Sequence, residues 1–369
     1  MSAATPVLVL GAGRMGRRIA RMLAADPRFA ATISSRDADA LALAAASGLR
    51  TAAFAGAGLR DDLFALLQGM RAVILTDAAM APAEVARLAL ERGCHYLDIF
   101  EDSGAAAQVA ALAGGAGPLC LAPGCGLAPG YVTSLTAELL AGAGAQSETT
   151  VFVGVLPAKR ENRLGYANIW GIDGLLDEYT NPCLAVQGGG LVEVAPLSQS
   201  ESLSVGGTAF EAFTTSGSLD ALARRHAGKV AGLVFKTLRY PGHLDYMQFL
   251  LHDLGLAARL YQLRTLLTTA LPETSDDRVL IAIRQQAAPG APEIWTRQEL
   301  RAAPDEAGAP ASASATATAA HACAMADLIC SGALPHTGLI APGDIGPALL
   351  RQSRFFAVLD PARTAAAQG

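Results

Sequence analysis

The sequence predicts an α/β protein: a doubly wound parallel sheet with an α+β domain inserted before its last helices. Three observations carry this. Short apolar runs alternate with helical segments over the first 125 residues. Beyond about residue 130 the strands alternate polar and apolar residues instead. Near the C-terminus a long alanine-rich helix returns. Composition agrees: of 369 residues, 51% are hydrophobic and 17% charged, the balance of a well-buried chain too long for one ordinary core.

Residues 7–10, Val-Leu-Val-Leu, read as a buried parallel strand, and Gly11-Ala12-Gly13-Arg14-Met15-Gly16 follows at once. In a G-x-G-x-x-G turn the first glycine allows the tight bend. The second lets a pyrophosphate approach the backbone, and the third lets the next helix pack closely. That helix carries Ile19, Met22 and Leu23 at helical spacing. Its first turn turns unpaired N–H groups and a positive dipole end toward phosphate. Strand, turn and helix together predict a Rossmann-type dinucleotide site, with Arg14 and Met15 held against the cofactor beside the glycines.

The alternation continues with a strand at 31–34, a helix at 38–46, a strand at 51–55 and a helix at 60–68. A strand at 71–76 precedes a helix that Pro82 opens and Gly93 stops. Strands at 95–99 and 119–121 complete a parallel sheet. Segments 149–155, 191–194, 233–238 and 279–284 read as half-exposed strands of a largely antiparallel sheet. Residues 301–315, rich in Ala, Pro and Ser, read as a surface loop, 317–331 as a long helix, and the tail after Pro361 as frayed. The predicted domains are 1–125, completed by 316–360, and 126–315.

The end of the second strand selects the nucleotide. An NAD site places an acid there for the ribose 2′-hydroxyl, whereas this chain reads Ser34-Ser35-Arg36-Asp37. Ser35 and Arg36 suit a 2′-phosphate, which favours NADP. Asp37 is either a ribose acid in a shifted register, leaving NAD open, or the N-cap of the following helix. Thr76 and Asp77 stand where the cofactor passes the fourth strand.

The net charge of −5 comes without a basic stripe, which argues against a nucleic-acid partner. No apolar run approaches a membrane span, and a strand within the first ten residues leaves no room for a signal peptide. A cytoplasmic protein is expected. Cys94, Cys120, Cys125, Cys183, Cys323 and Cys330 form no C-x-x-C pair, and we read them as small buried residues rather than metal ligands.

Four segments carry a family resemblance. They are Gly126-Leu127-Ala128-Pro129-Gly130, Gly174-Leu175-Leu176-Asp177-Glu178-Tyr179-Thr180-Asn181-Pro182, Phe213-Thr214-Thr215-Ser216-Gly217, and Lys236-Thr237-Leu238-Arg239-Tyr240-Pro241-Gly242-His243. In order and spacing they resemble the saccharopine dehydrogenase family, in pattern its lysine 6-dehydrogenase branch. The resemblance implies a Rossmann domain with an inserted substrate and dimerisation domain. It implies hydride exchange with the C–N bond of a lysine-type amino acid or its adduct through an imine, no metal, and a two-fold homodimer.

That chemistry needs a carboxylate clamp, a proton-handling group and a shaped pocket. Arg239 is the candidate clamp, flanked by Tyr240, and His243 the candidate proton carrier. Asp98 and Glu101, at and beyond the fifth strand, are candidates to bind a substrate ammonium or orient water; Asp98 could instead cap its loop. Cys125 lies in the Gly/Pro-rich connection 123–130 as a candidate beside the nicotinamide. Trp170, with Asn168 and Asp173, precedes the Gly174–Tyr179 helix in a region that in relatives reaches the substrate or the partner subunit. Tyr179 and Asn181 read as helix-end packing. The chain departs from the family at Ser35-Arg36, where an NAD-using member carries an acid, and at Ile99-Phe100-Glu101-Asp102, where relatives continue with small residues. Two other readings stand beside the leading one: an NADPH-binding sensor or dimeric regulator without turnover, and a reductase of a polyamine-type imine.

Overall fold

The computed structural model describes residues 3–56, 58–305 and 308–360, and the chain divides into two compact units: Met1–Glu138 with Ala315–Gly369, and Leu139–Ser314. The first unit thus runs past the expected boundary at 125. The helix Tyr131–Leu140 begins inside it: the Tyr131 hydroxyl donates to the Leu359 carbonyl at 3.0 Å, and its ring meets Phe356 edge-on at 5.7 Å.

Strands β1 (Thr5–Leu10), β2 (Phe29–Ser35), β3 (Thr51–Ala53), β4 (Ala72–Leu75), β5 (His95–Asp98) and β6 (Cys120–Ala122) form the first unit's sheet. Gly338–Leu339 adds a seventh strand, too short to read from sequence. The order is Gly338–Leu339, β6, β5, β4, β1, β2, β3. Every pair is parallel. Val7, Leu8, Val9 and Leu10 have no exposed surface, as expected of a strand covered on both faces. Leu8, Leu10, Val73 and Leu75 pack with Val85, Leu88 and Ala89 of the helix Pro82–Glu91. Strand order places the carboxyl ends of β1, β2 and β4 side by side, the crevice where open α/β sheets bind ligands.

The second unit holds β7 (Glu148–Pro157), β8 (Cys183–Gln187), β9 (Gly190–Val194), β10 (Glu201–Val205), β11 (Thr208–Thr214), β12 (Gly232–Arg239), β13 (Asp277–Gln286) and β14 (Ile294–Arg301). Their order is β10-β11-β12-β7-β13-β14, with β8 joining β12 and β9 joining β8. Only β12 and β7 pair in parallel; the remaining ladders are antiparallel. The segments expected to be half-exposed at 149–155 and 279–284 are instead central and largely buried on both faces, and alternation shows in the edge strand β10. Phe152, Leu156, Phe210, Leu238 and Leu280 form one core. Tyr166, Leu175, Leu176, Phe213, Met247 and Leu263 form another among the helices.

Residues 301–315 are not a plain loop. Ala303–Pro304 pairs with Pro310–Ala311, and the long helix spans Ala313–Ser331. It starts earlier than its local sequence suggests because its cap is remote. The Asp277 carboxylate in β13 accepts from the backbone N–H of Ala313 at 2.6 Å and of Ser314 at 3.0 Å. All six cysteines are free thiols, and five are buried. Among the described residues no helix is long and apolar enough to cross a membrane. The expectation for the tail after Pro361 lies outside the described residues.

Candidate functional site

The turn after β1 shows what each glycine is for. Gly11 has φ +111°, and a Cβ there would stand 2.6 Å from Thr76 Oγ1 and 2.8 Å from the Asp77 nitrogen. A Cβ on Gly16 would lie 1.8 Å from the Gly11 carbonyl oxygen. Both are required by the protein's own packing. Gly13 differs: no heavy atom lies within 4 Å of where its Cβ would be. It caps the helix Arg14–Ala24 and brings no side-chain acceptor to the first turn. An exposed glycine with open space before it, at a helix N-terminus, fits a pyrophosphate. Arg14 and Met15 stand half-buried beside it.

Thr76 secures the turn, donating from Oγ1 to the Leu10 carbonyl at 2.9 Å and the Gly11 carbonyl at 3.1 Å. Beyond β2, Ser35 Oγ accepts from the Asp37 N–H at 3.1 Å, and the Asp37 carboxylate accepts from the Ala40 N–H at 3.0 Å. Asp37 is therefore the N-cap of Ala38–Ala46. Arg36 is exposed and pairs with Asp77 at 3.2 Å.

Asp98 ends β5 and is buried, with its carboxyl filled by the protein. It accepts from the Tyr96 hydroxyl at 2.8 Å, the Gly124 N–H at 2.9 Å and the Phe100 N–H at 3.1 Å. These bonds make it the loop cap that stood as the alternative to a substrate role, with Oδ1 taken by two backbone N–H groups and Oδ2 by the Tyr96 hydroxyl. Burial raises its pKa, opposed by these donors. Asp98→Ala leaves the three donors unpaired and should destabilise the protein by about 2–4 kcal/mol; chemical denaturation measures it, and a change under about 1 kcal/mol would refute the cap.

The connection 123–130 is gripped from a second side by His321, which sequence reasoning missed. Its Nδ1–H donates to the Cys125 carbonyl at 3.0 Å, and Nε2 is buried without a partner among the described residues. Burial lowers its pKa to about 4. A lone histidine within an alanine-rich apolar helix was the available signal. Cys125 is buried too; its thiol donates to the Ala122 carbonyl at 3.2 Å and its pKa is pushed up by burial.

In the second unit the structure brings Arg239 and His243 together with Glu178 and Tyr179. Arg239 is 2% exposed. Its Nε donates to the Tyr179 hydroxyl at 2.8 Å, one terminal nitrogen donates to the Leu238 carbonyl at 3.0 Å, and the other faces Glu178 at 3.6 Å. Since Tyr179 accepts from Arg239, its own O–H donates to His243 Nε2 at 2.8 Å, and His243 Nδ1–H donates to the Leu164 carbonyl at 2.9 Å. This chain fixes a neutral Nδ1–H tautomer, and burial with the nearby guanidinium lowers the His243 pKa to about 3. Arg239, expected as a substrate clamp, here donates from Nε and one terminal nitrogen to groups of its own unit, and both ring nitrogens of His243, expected as a proton carrier, are hydrogen-bonded within it. Tyr240 is also core, its hydroxyl donating to the Pro157 carbonyl at 3.0 Å. Trp170 lies against Gly174, where a Cβ would stand 2.2 Å from its ring. Glu101 and Trp170 remain half-buried. Tyr179, read as helix-end packing, is the hub of the cluster.

Two family descriptions match the chain: the saccharopine dehydrogenase NADP binding domain over residues 7–119, and the saccharopine dehydrogenase C-terminal domain over 126–353. Among solved structures it is similar to saccharopine dehydrogenase (L-Glu forming) from Saccharomyces cerevisiae, with a TM-score of 0.73 at 16% identity, covering 94% of this chain and 96% of that one. It is also similar to the homospermidine synthase of Legionella pneumophila in complex with NAD, with a TM-score of 0.68 at 12% identity, covering 97% and 89%. The fold is that of a nicotinamide-dependent oxidoreductase. With one family accounting for both halves, the chain belongs to the saccharopine dehydrogenase family.

Proposed function

We propose that the chain is an NADP-preferring oxidoreductase acting on the C–N bond of a lysine-type amino acid or its adduct. The observation that carries this is Gly13, at a helix N-terminus with no heavy atom within 4 Å of where its Cβ would be. Ser35 ends the neighbouring strand β2 and Arg36 follows it. Asp37, the residue that could have served as a ribose acid, supports the NADP reading by capping a helix instead. The reaction class rests on family membership.

A bound nicotinamide supplies the hydride donor or acceptor. The chain's own residues hold and orient it. Gly11, Gly13 and Gly16, with Arg14 and Met15, receive the pyrophosphate. Arg36 pairs with the 2′-phosphate, and Thr76 and Asp77 border the turn. Asp98 and His321 hold the connection 123–130 at the carboxyl edge of the sheet. On the substrate, loss of a hydride and a proton converts the amine to an imine. Water then adds, and the C–N bond breaks to give a carbonyl and an amine. Glu101 is the acid we propose for a substrate ammonium. A homodimer through the second unit's sheet belongs to the same proposal, and light scattering tests it.

The test is a screen of amino acids, and of aldehyde–amine pairs, at fixed NADPH and NADH, followed by nicotinamide absorbance. Turnover with an amine or an aldehyde–amine pair is expected, faster with NADPH. Tight NADPH binding without turnover on any pair would favour a sensor instead. Polyamines belong in the screen because the homospermidine synthase fold resembles this one, and turnover confined to them would select the polyamine-type imine. Arg36→Ala should weaken NADPH by roughly tenfold to a hundredfold and leave NADH within about threefold, the size of a lost charge-assisted contact; equal losses for both would refute the 2′-phosphate role.

A further inference from the structure

Arg36 and Asp77 come from strands on opposite sides of β1. β2 and β4 both pair with β1, so their ends lie about 10 Å apart at ordinary strand spacing. The two side chains close that gap, with Arg36 reaching Asp77 Oδ2 at 3.2 Å. Asp77 is the fixed member. Its Oδ1 accepts from the Ala79 N–H at 3.0 Å, and its nitrogen stands 2.8 Å from where a Gly11 Cβ would be. The neighbours of Arg36 are also committed, Ser35 Oγ to the Asp37 N–H and the Asp37 carboxylate to the Ala40 N–H. Arg36 is the long, exposed and movable group, 40% exposed against 21% for Asp77.

We infer that Asp77 is a specificity-determining residue that competes with the 2′-phosphate for Arg36 and so moderates the preference for NADP over NAD. This rests on the reading of Arg36 as the phosphate ligand. A phosphate arriving at Arg36 must break the pair and then stand near a carboxylate held in place by its own turn. A 2′-hydroxyl carries no such charge and leaves the pair intact. The effect of Asp77 therefore falls on one dinucleotide and spares the other. Its size is that of a partly exposed ion pair, with some added like-charge repulsion.

The experiment measures NADPH and NADH dissociation constants for wild type, Asp77→Asn, Arg36→Ala and the double variant, at low and at physiological salt. Asn keeps the acceptor for the Ala79 N–H, and Asp77→Ser is the second variant should Asn fold poorly. Asp77→Asn should tighten NADPH by about threefold to tenfold and leave NADH within about twofold. The gain should shrink in the Arg36→Ala background, since the two residues are coupled, and should shrink with salt. An unchanged NADPH/NADH ratio, or weaker NADPH binding, would overturn the inference and make Asp77 a support for Arg36. Should wild type itself favour NADH, the NADP reading fails by that measurement, while the change in ratio on Asp77→Asn still decides the role of Asp77.

Discussion

Replacing Gly13 by Val should abolish dinucleotide binding in a protein that still folds. The backbone there has φ −66° and ψ −175°, an extended conformation open to any L-residue. The added side chain meets no protein atom within 4 Å at its Cβ, so the melting temperature should stay within about 3 °C, the equivalent of about 1 kcal/mol. The pyrophosphate, which must come against this backbone, is excluded. A loss of at least about a hundredfold in affinity is expected, or about 2.8 kcal/mol. Gly16→Ala is the counterpart. Its Cβ would lie 1.8 Å from the Gly11 carbonyl oxygen, a clash with backbone that forces strand and helix apart. Overpacking of this kind costs about 1–3 kcal/mol or more, so this variant should lose stability and binding together. Isothermal titration with a melting curve separates the two. A Gly13→Val protein that binds NADPH as wild type does would place the cofactor elsewhere.

The contrast between these glycines also marks what the sequence makes legible. The requirement for Gly11, Gly13 and Gly16 arises within one strand, one turn and one helix, so a local pattern carries it. The same holds for Asp37, whose bond to the Ala40 N–H spans three residues. The remaining site residues depend on distant partners. Asp98 looks like a free acid at a strand end until Gly124, far along the chain, fills its carboxyl. Whether Arg239 is a clamp or a core cation is decided by what packs over it, and Tyr179 lies 60 residues away in sequence. The Gly174–Pro182 and Lys236–His243 motifs identified the residues that meet, yet they are silent on which way the side chains face. The expectation of half-exposed strands held at 191–194 and failed at 149–155 and 279–284 for a like reason. Alternation in β7 and β13 marks two buried faces of different character, and only the completed sheet order shows that both are central.

The buried Arg239 cluster yields the second large effect. Glu178 is held without a hydrogen bond to Oε2 among the described residues and with Arg239 3.6 Å away. Burial raises its pKa to about 7, and Arg239 opposes that rise. A carboxyl with a raised folded pKa favours the folded state when protonated. Its contribution is fully present below the unfolded value near 4.5 and is lost as pH rises through about 7. At pH 8 the folded protein therefore relies on Arg239 to neutralise an ionised Glu178. Without Arg239 the Glu178 pKa rises further and the carboxyl must be held protonated, so Arg239→Met should cost about 1.4 kcal/mol more at pH 8 than at pH 5.5. At pH 5.5 Glu178 is protonated in both proteins. The loss there should fall to the two neutral-acceptor hydrogen bonds, about 1–2 kcal/mol. Glu178→Gln combined with Arg239→Met should recover that extra loss at pH 8 and flatten the pH dependence, because the titrating carboxyl is gone. Urea denaturation of the four proteins at both pH values measures this cycle. A substrate clamp predicts the opposite pattern: Arg239→Met as stable as wild type at both pH values, with its loss confined to turnover. Equal stability would return Arg239 to the substrate, whereas a pH-dependent loss relieved by Glu178→Gln makes it the cation that holds β12 to the helix Ile172–Thr180.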